Sequence, residues 1–200
     1  MPRDRVAERL LRCLAGLVLC GVGIVAIIEA DLGVAPWDVL HQGISDRTGL
    51  PIGTVILLLG GVVLALWWPL RIRPGVGTIL NACLIGVFVD LTGRAYPAVH
   101  GLPAQVTSLV AGITAIGVGS GLYIGTGLGP GPRDGLMTGI AGRGFSLRGT
   151  RTIIELAVLA IGWLLGGSVG VGTAAFAFAI GPIVHVTLPR LTVGADRLPA

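Results

Sequence analysis

The chain contains no lysine, and charge of any kind is scarce: 12% of its 200 residues are charged and 5% are aromatic, against 53% hydrophobic. A chain so poor in charge cannot cover a globular surface with polar groups, which excludes an ordinary soluble domain. Cysteine is scarce as well. Cys13, Cys20 and Cys83 match no CxxC, zinc or haem spacing, so no metal centre is expected, and all three read as small buried packing residues in or at the ends of apolar segments. There is no GxxxxGKS or GxxxxGKT loop, and no Ser/His/Asp or Cys/His constellation in a recognisable setting. The chain is therefore expected to be neither an enzyme nor a cofactor carrier, and no catalytic residue is nominated. His41, His100 and His185 are scattered and support no metal site.

Long hydrophobic runs are what the chain has instead. About 20 mainly apolar residues suffice to cross roughly 30 Å of hydrocarbon. Such runs recur over about 10–30, 51–69, 76–93, 105–126, 149–166 and 171–189, predicting an all-α membrane protein of six transmembrane helices with the lipid bilayer as its main partner. The first run follows Arg3, Arg5, Arg9 and Arg12 in the manner of a secretory signal. It is long, however, and no small-x-small cleavage site follows, so it is expected to remain.

The net charge of +4 would point to nucleic acid in a soluble protein. Here nearly all the arginines lie in short connections, and topology accounts for them better than nucleic-acid binding does. With the N-terminus in the cytoplasm, twelve of the 14 arginines fall inside and only Arg47 and Arg94 outside. That asymmetry predicts a bacterial inner-membrane protein with both termini cytoplasmic.

The chain repeats itself at a fixed spacing. At an offset of 96 residues, the segment from Leu32 to Ile44 lies on the segment from Leu128 to Ile140, with the shared pattern L-G-x-x-P-x-D-x-L-x-x-G-I. The same offset matches Gly21-Val22-Gly23 to Gly117-Val118-Gly119 and Gly53-Thr54 to Gly149-Thr150. A one-residue slip brings Gly75-Val76-Gly77-Thr78 onto Gly170-Val171-Gly172-Thr173. Four matches in the same order indicate a duplicated unit, repeat one over about 9–95 and repeat two over about 104–190, within a single membrane domain spanning 1–200. Three spans per unit is an odd number, so the second unit enters the bilayer from the opposite side, the inverted-repeat plan of many transporters.

In each LGxxPxD segment the proline, Pro36 or Pro132, suits the first turn of a helix, where a missing N–H costs nothing. The aspartate, Asp38 or Asp134, then faces the orphan amides at the positive end of the helix dipole. Each motif thus opens a half-helix of about ten residues, too short to span, covering Val39 to Ser45 and Gly135 to Gly142. Paired half-helices at matching places are a pointer to a transporter site, although a proline and an aspartate can also simply cap a loop helix. Gly33 and Gly129, and the Gly77-Thr78 and Gly172-Thr173 pairs, are assigned to the structural motif, with glycine permitting close helix contact.

Repeat two carries charges that repeat one lacks: Arg148, Arg151 and Glu155 stand where repeat one has Ile52, Val55 and Leu59. Glu155 lies about 10 Å along its helix from Arg148 by helical rise and would need a partner at that depth, for which Arg151, one turn away, is the candidate. A self-satisfied pair at the cytoplasmic boundary explains the same spacing. Glu29, Asp31 and Asp90 read as interfacial groups.

The segments LGVAPWDVL, LGPGPRDGLM, RTIIE (Arg151 to Glu155) and LLGGSVGVGT followed by AIGP resemble bacterial YczE/YitT-like integral membrane proteins, over about residues 9–189. The resemblance implies a multi-spanning inner-membrane protein of largely unassigned biochemical function, with suggestions of transport or of supporting other processes. It carries no catalytic role onto positions 36, 38, 132, 133, 134, 151 or 155. From the residues, the expected function is secondary transport of an unknown small solute or ion, with Asp38, Arg133, Asp134, Arg151 and Glu155 as the polar pathway. The alternative is a non-transporting accessory that scaffolds a membrane-protein partner, and small-residue helix faces would serve a homodimer as well.

Overall fold

The computed structural model describes residues 4–194, so Arg3 and Arg197 of the charge count lie outside it. Among the described residues the chain is entirely helical: α1 (Val6–Ala30), α2 (Pro36–Thr48), α3 (Ile52–Ala65), α4 (Trp67–Leu70), α5 (Val76–Ala95), α6 (Leu102–Ile124), α7 (Pro132–Ala141), α8 (Leu147–Leu164) and α9 (Val171–Leu191). Five stretches are long and apolar enough to cross a membrane: α1, α3 with α4, α5, α6 and α9. α8, expected as a sixth, bears Arg148, Arg151 and Glu155 among its 18 residues, where the most apolar 18 residues of each of the other five hold at most two charges. Large apolar side chains point outward all round, among them Phe178 and Val171 on α9 and Ile153 on α8, as lipid contact requires.

α1 and α6 cross at the centre, and four glycines set how closely. A Cβ on Gly16 would meet the Gly119 carbonyl oxygen at 2.6 Å, and one on Gly23 the Gly112 carbonyl oxygen at 2.7 Å. Gly16 and Gly112 occupy matching places in the two repeats, as do Gly23 and Gly119, so the two contacts are one contact made twice. α5 lies against α1 and α9 against α6, the same neighbour relation in each half. On its other face, α6 meets α9 through Gly117 against Ile183 and Gly121 against Thr187.

The repeated motifs dock on each other across the halves. The Gly172 amide donates to the Leu32 carbonyl at 2.7 Å, and the Gly77 amide donates to the Leu128 carbonyl at 2.9 Å. Each GVGT start is closed by its own threonine, which accepts from the glycine amide three residues earlier: Thr78 from Gly75 at 3.2 Å and Thr173 from Gly170 at 3.1 Å. Gly33 and Gly129 both take positive φ, +96° and +124°. A Cβ there would strike Gly170 and Thr173 in one case, and Gly75 and Thr78 in the other. Both LG and GVGT are thus demanded by backbone packed against backbone.

Candidate functional site

The two LGxxPxD helices, α2 and α7, begin at Pro36 and Pro132 and bring their N-terminal ends together at the middle of the fold. They are 13 and 10 residues long, the first running past the expected Ser45 to Thr48. Trp37 and Arg133 hold the same place in the two motifs, and here they stack, the guanidinium carbon 4.9 Å from the ring centre. A cation over an indole face is attracted by the ring quadrupole, more so away from water.

Asp38 and Asp134 both sit in the first turn of their helices, at the positive end of the dipole, and both carboxylates are also engaged by side chains. Asp38, 3% exposed, faces His41 one turn on, with Oδ1 3.0 Å from Nδ1. The other ring nitrogen, Nε2, lies 3.3 Å from Arg133 Nη2. A guanidinium can only donate, so Nε2 accepts, and the remaining proton of a neutral ring sits on Nδ1 and is donated to Asp38. The result is a relay from Arg133 through His41 to Asp38 that joins the two half-helices and gives a buried carboxylate a donor. Asp134 takes a different partner. The Tyr123 hydroxyl, 3.3 Å away, donates to its Oδ2 and in turn accepts from the Gly131 amide at 3.2 Å. A tyrosine on α6 thereby holds the first turn of α7.

A cavity of about 410 Å³ opens beside these groups. Its walls come from both halves at matching positions: Cys20 and Ile116, Ile24 and Ser120, Trp37 and Arg133, Asp38 and Asp134, Ala82 and Ala177, Ile85 and Ile180. Arg151 and Glu155 also line it, with Nε 2.8 Å from Oε1. Their side chains are 55% and 31% exposed, so the pair sits at the mouth rather than in the core. All five expected pathway residues, Asp38, Arg133, Asp134, Arg151 and Glu155, therefore border one space. The motif residues divide: Pro36 and Pro132 line it, while Gly33, Gly129, Gly77, Thr78, Gly172 and Thr173 form the docking contacts behind it.

Three groups at the site escape a reading of the sequence. His41 looks like a lone histidine, although its i+3 spacing from Asp38 puts both on one helix face. Trp37 has a signal, since it occupies the place of Arg133. Tyr123 has none, because nothing in an apolar run marks it as the partner of Asp134. Asp90, read as interfacial, accepts from the Gly53 amide at 2.8 Å and the Thr54 hydroxyl at 3.4 Å, tying the start of α3 to α5.

Apolar helices around a shared polar cavity define an integral membrane protein of several spans. Residues 7–189 match the family of unknown function DUF6198, and the chain belongs to that family. It is 39% identical to an uncharacterised protein of Haemophilus influenzae over 176 residues, covering 88% of this chain and 81% of that protein. It is 34% identical to the uncharacterised membrane protein YczE of Bacillus subtilis over 179 residues, covering 88% and 83%. The YczE-like resemblance read from the motifs thus holds over most of the chain. No solved structure matches.

Proposed function

We propose that this protein is a secondary transporter of a small polar solute, built from two three-span halves that run oppositely through a bacterial inner membrane, with α8 as the sixth span and both termini cytoplasmic. The observation that carries this reading is the cavity whose walls are matching residues of the two repeats. A site shared by two related halves is where inverted-repeat transporters hold their substrate. Its volume falls in the range of about 300–1,000 Å³ usual for small-molecule sites. No ATP-binding motif accompanies it, so an ion or solute gradient would supply the work.

The charges suggest what fits. Asp38 is answered by His41 and Arg133, and Glu155 by Arg151. Among the described residues Asp134 has the Tyr123 hydroxyl as its single side-chain hydrogen-bond partner, which favours a solute with a positive or strongly donating group. Trp37 adds an indole N–H that is buried without an acceptor among the described residues.

The test is thermal unfolding of the detergent-solubilised protein against a panel of small amines, amino acids and inorganic ions. A ligand that binds only the folded state raises the unfolding temperature by mass action. Stabilisation by amine-bearing compounds, lost in Asp134→Asn and weakened in Glu155→Gln, is the expected result. A flat response across the panel would count against transport and for a scaffolding role.

A further inference from the structure

The two halves match in most of their packing, and they disagree at one pair of helices. α3 and α8 occupy equivalent places in the repeats, as do α5 and α9. α3 lies along α5, with Gly53 and Gly86 in backbone contact and the Asp90 carboxylate capping the start of α3. The equivalent surfaces of α8 and α9 stand apart. A Cβ on Gly181, the counterpart of Gly86, would meet nothing within 4 Å. One on Gly149, the counterpart of Gly53, would meet only Ser146 of its own chain turn. His185, which stands in the place of Asp90, is exposed.

α8 leans the other way. It packs along α2, where Gly162 meets Val39 and Leu40, and a Cβ on Gly43 would come 2.6 Å from the Gly162 carbonyl oxygen. α3 meets α7 only near its C-terminal end, where Val63 packs with Leu136 and the Trp67 indole of α4 donates to the Pro132 carbonyl at 3.0 Å, while Gly139, the counterpart of Gly43, faces Ile72 instead.

The C-terminal ends of the same two helices do agree. The Arg47 Nε donates to the Leu165 carbonyl at 3.1 Å, just past the end of α8. Its counterpart, Arg143, donates to the Pro69 carbonyl at 2.7 Å, in α4 at the end of α3. Pro69 and Leu165 are themselves 96 places apart in the sequence, so one anchor is made twice. The two helices therefore share an arginine anchor at the C-terminal end, whereas the N-terminal end of α3 is capped from α5 and that of α8 stands clear of α9.

We infer that α3 and α8 are the moving parts of the protein, each swinging about its arginine-anchored C-terminal end between the long helix of its own half and the half-helix of the other, and that this structure catches the two in opposite positions. The exchanged state brings α8 onto α9 through Gly149 and Gly181 and frees α3 from α5. It closes the main cavity where Arg151, Glu155, Ile180 and Gly181 line it, and opens it toward the far end. A second cavity of about 300 Å³, bordered by Glu29, Asp90 and Arg94, already lies there and shares no lining residue with the first. The face that α3 would leave on α5 and the face that α8 would meet on α9 are both glycine surfaces between apolar helices, so the two states are close enough in free energy to exchange. The purpose of this motion rests on the transport reading, but its detection does not.

Cysteine pairs in native membranes test it, in a chain carrying Cys13→Ala, Cys20→Ala and Cys83→Ala. A Cβ at position 60 would lie 3.7 Å from that of Ala82, within the roughly 3.5–4.5 Å that a disulfide needs. Gly60→Cys with Ala82→Cys therefore reports the present state. The matching pair on α8 and α9, Leu156→Cys with Ala177→Cys, reports the exchanged one. Leu156 is 58% exposed and Ala177 is also exposed here. Under mild oxidation both pairs are expected to cross-link. A 60–82 bond formed first should block the 156–177 bond. Gly181→Leu, which has room in this structure, should abolish the 156–177 bond while leaving 60–82 bonding and the unfolding temperature unchanged. A 156–177 bond that never forms, or that forms undiminished beside the 60–82 bond or with Gly181→Leu, overturns the inference. Because no solute is needed, a flat ligand panel beside working exchange would reject transport alone.

Discussion

Asp38 is a carboxylate with 3% of its surface exposed, on the wall of the central cavity, where its charge needs partners from the protein. His41 and Arg133 supply them, at 3.0 and 3.3 Å along the relay. Removing the middle of that relay should leave a buried acceptor unpaired, which is costlier than losing both partners together. His41→Leu is thus expected to destabilise by about 3 kcal/mol, and Asp38→Asn added to it should recover part of the loss, as read by thermal unfolding of the single and double variants. At Gly33 and Gly129, both with positive φ and backbone in the way, alanine should lower stability by roughly 2 kcal/mol or more. An alanine at either position that unfolds like the wild type would show that LG is not a packing motif. The repeat alignment made these glycines legible because both halves preserve them. His41 and Tyr123 were not legible: their partners are set by how α2, α6 and α7 meet, and no periodicity encodes that.

At the scale of helices, hydropathy located every long element to within a few residues, since an apolar run in lipid must satisfy its backbone internally and can do so only as helix. The charges Arg148, Arg151 and Glu155 already set α8 apart in the sequence, but which helix each one leans on was not legible. Those outcomes depend on glycine faces. Gly23→Leu would push α1 off α6 at the Gly112 carbonyl and should cost roughly 1–3 kcal/mol, whereas Gly181→Leu, facing open space, should be silent in the same unfolding assay. The Arg151–Glu155 pair contributes little by itself, because its side chains are 55% and 31% exposed. An exposed i,i+4 pair is worth about 0.3–0.5 kcal/mol. Glu155→Gln should therefore unfold within about 0.5 kcal/mol of wild type, and a larger loss would move the pair from the mouth of the cavity into its structural core.

For the whole molecule, orientation is the property that the arginines predict and that labelling can read. A membrane-impermeant maleimide added to intact cells should modify Thr48→Cys, beside Arg47, and spare Gly144→Cys, beside Arg143, in a chain freed of its native cysteines. The reverse pattern would turn the proposed topology over. That residues 96 places apart would make matching contacts was legible from the spacing alone. That the two halves hold helices in two different postures was not, because a duplicated sequence describes what the halves share.

The crossed docking of LG on GVGT has a consequence for how such a chain could have arisen. Neither half satisfies its own motif: Leu32 receives its amide from Gly172, and Leu128 from Gly77. A half-length ancestor would have carried one carbonyl step and one glycine start with nothing in its own chain to join them. It would have been complete only on meeting a second copy of itself, and in the proposed topology that copy must have been threaded through the membrane the other way. Duplication and fusion would then have fixed in one chain a pairing that previously depended on two molecules inserting in opposite senses.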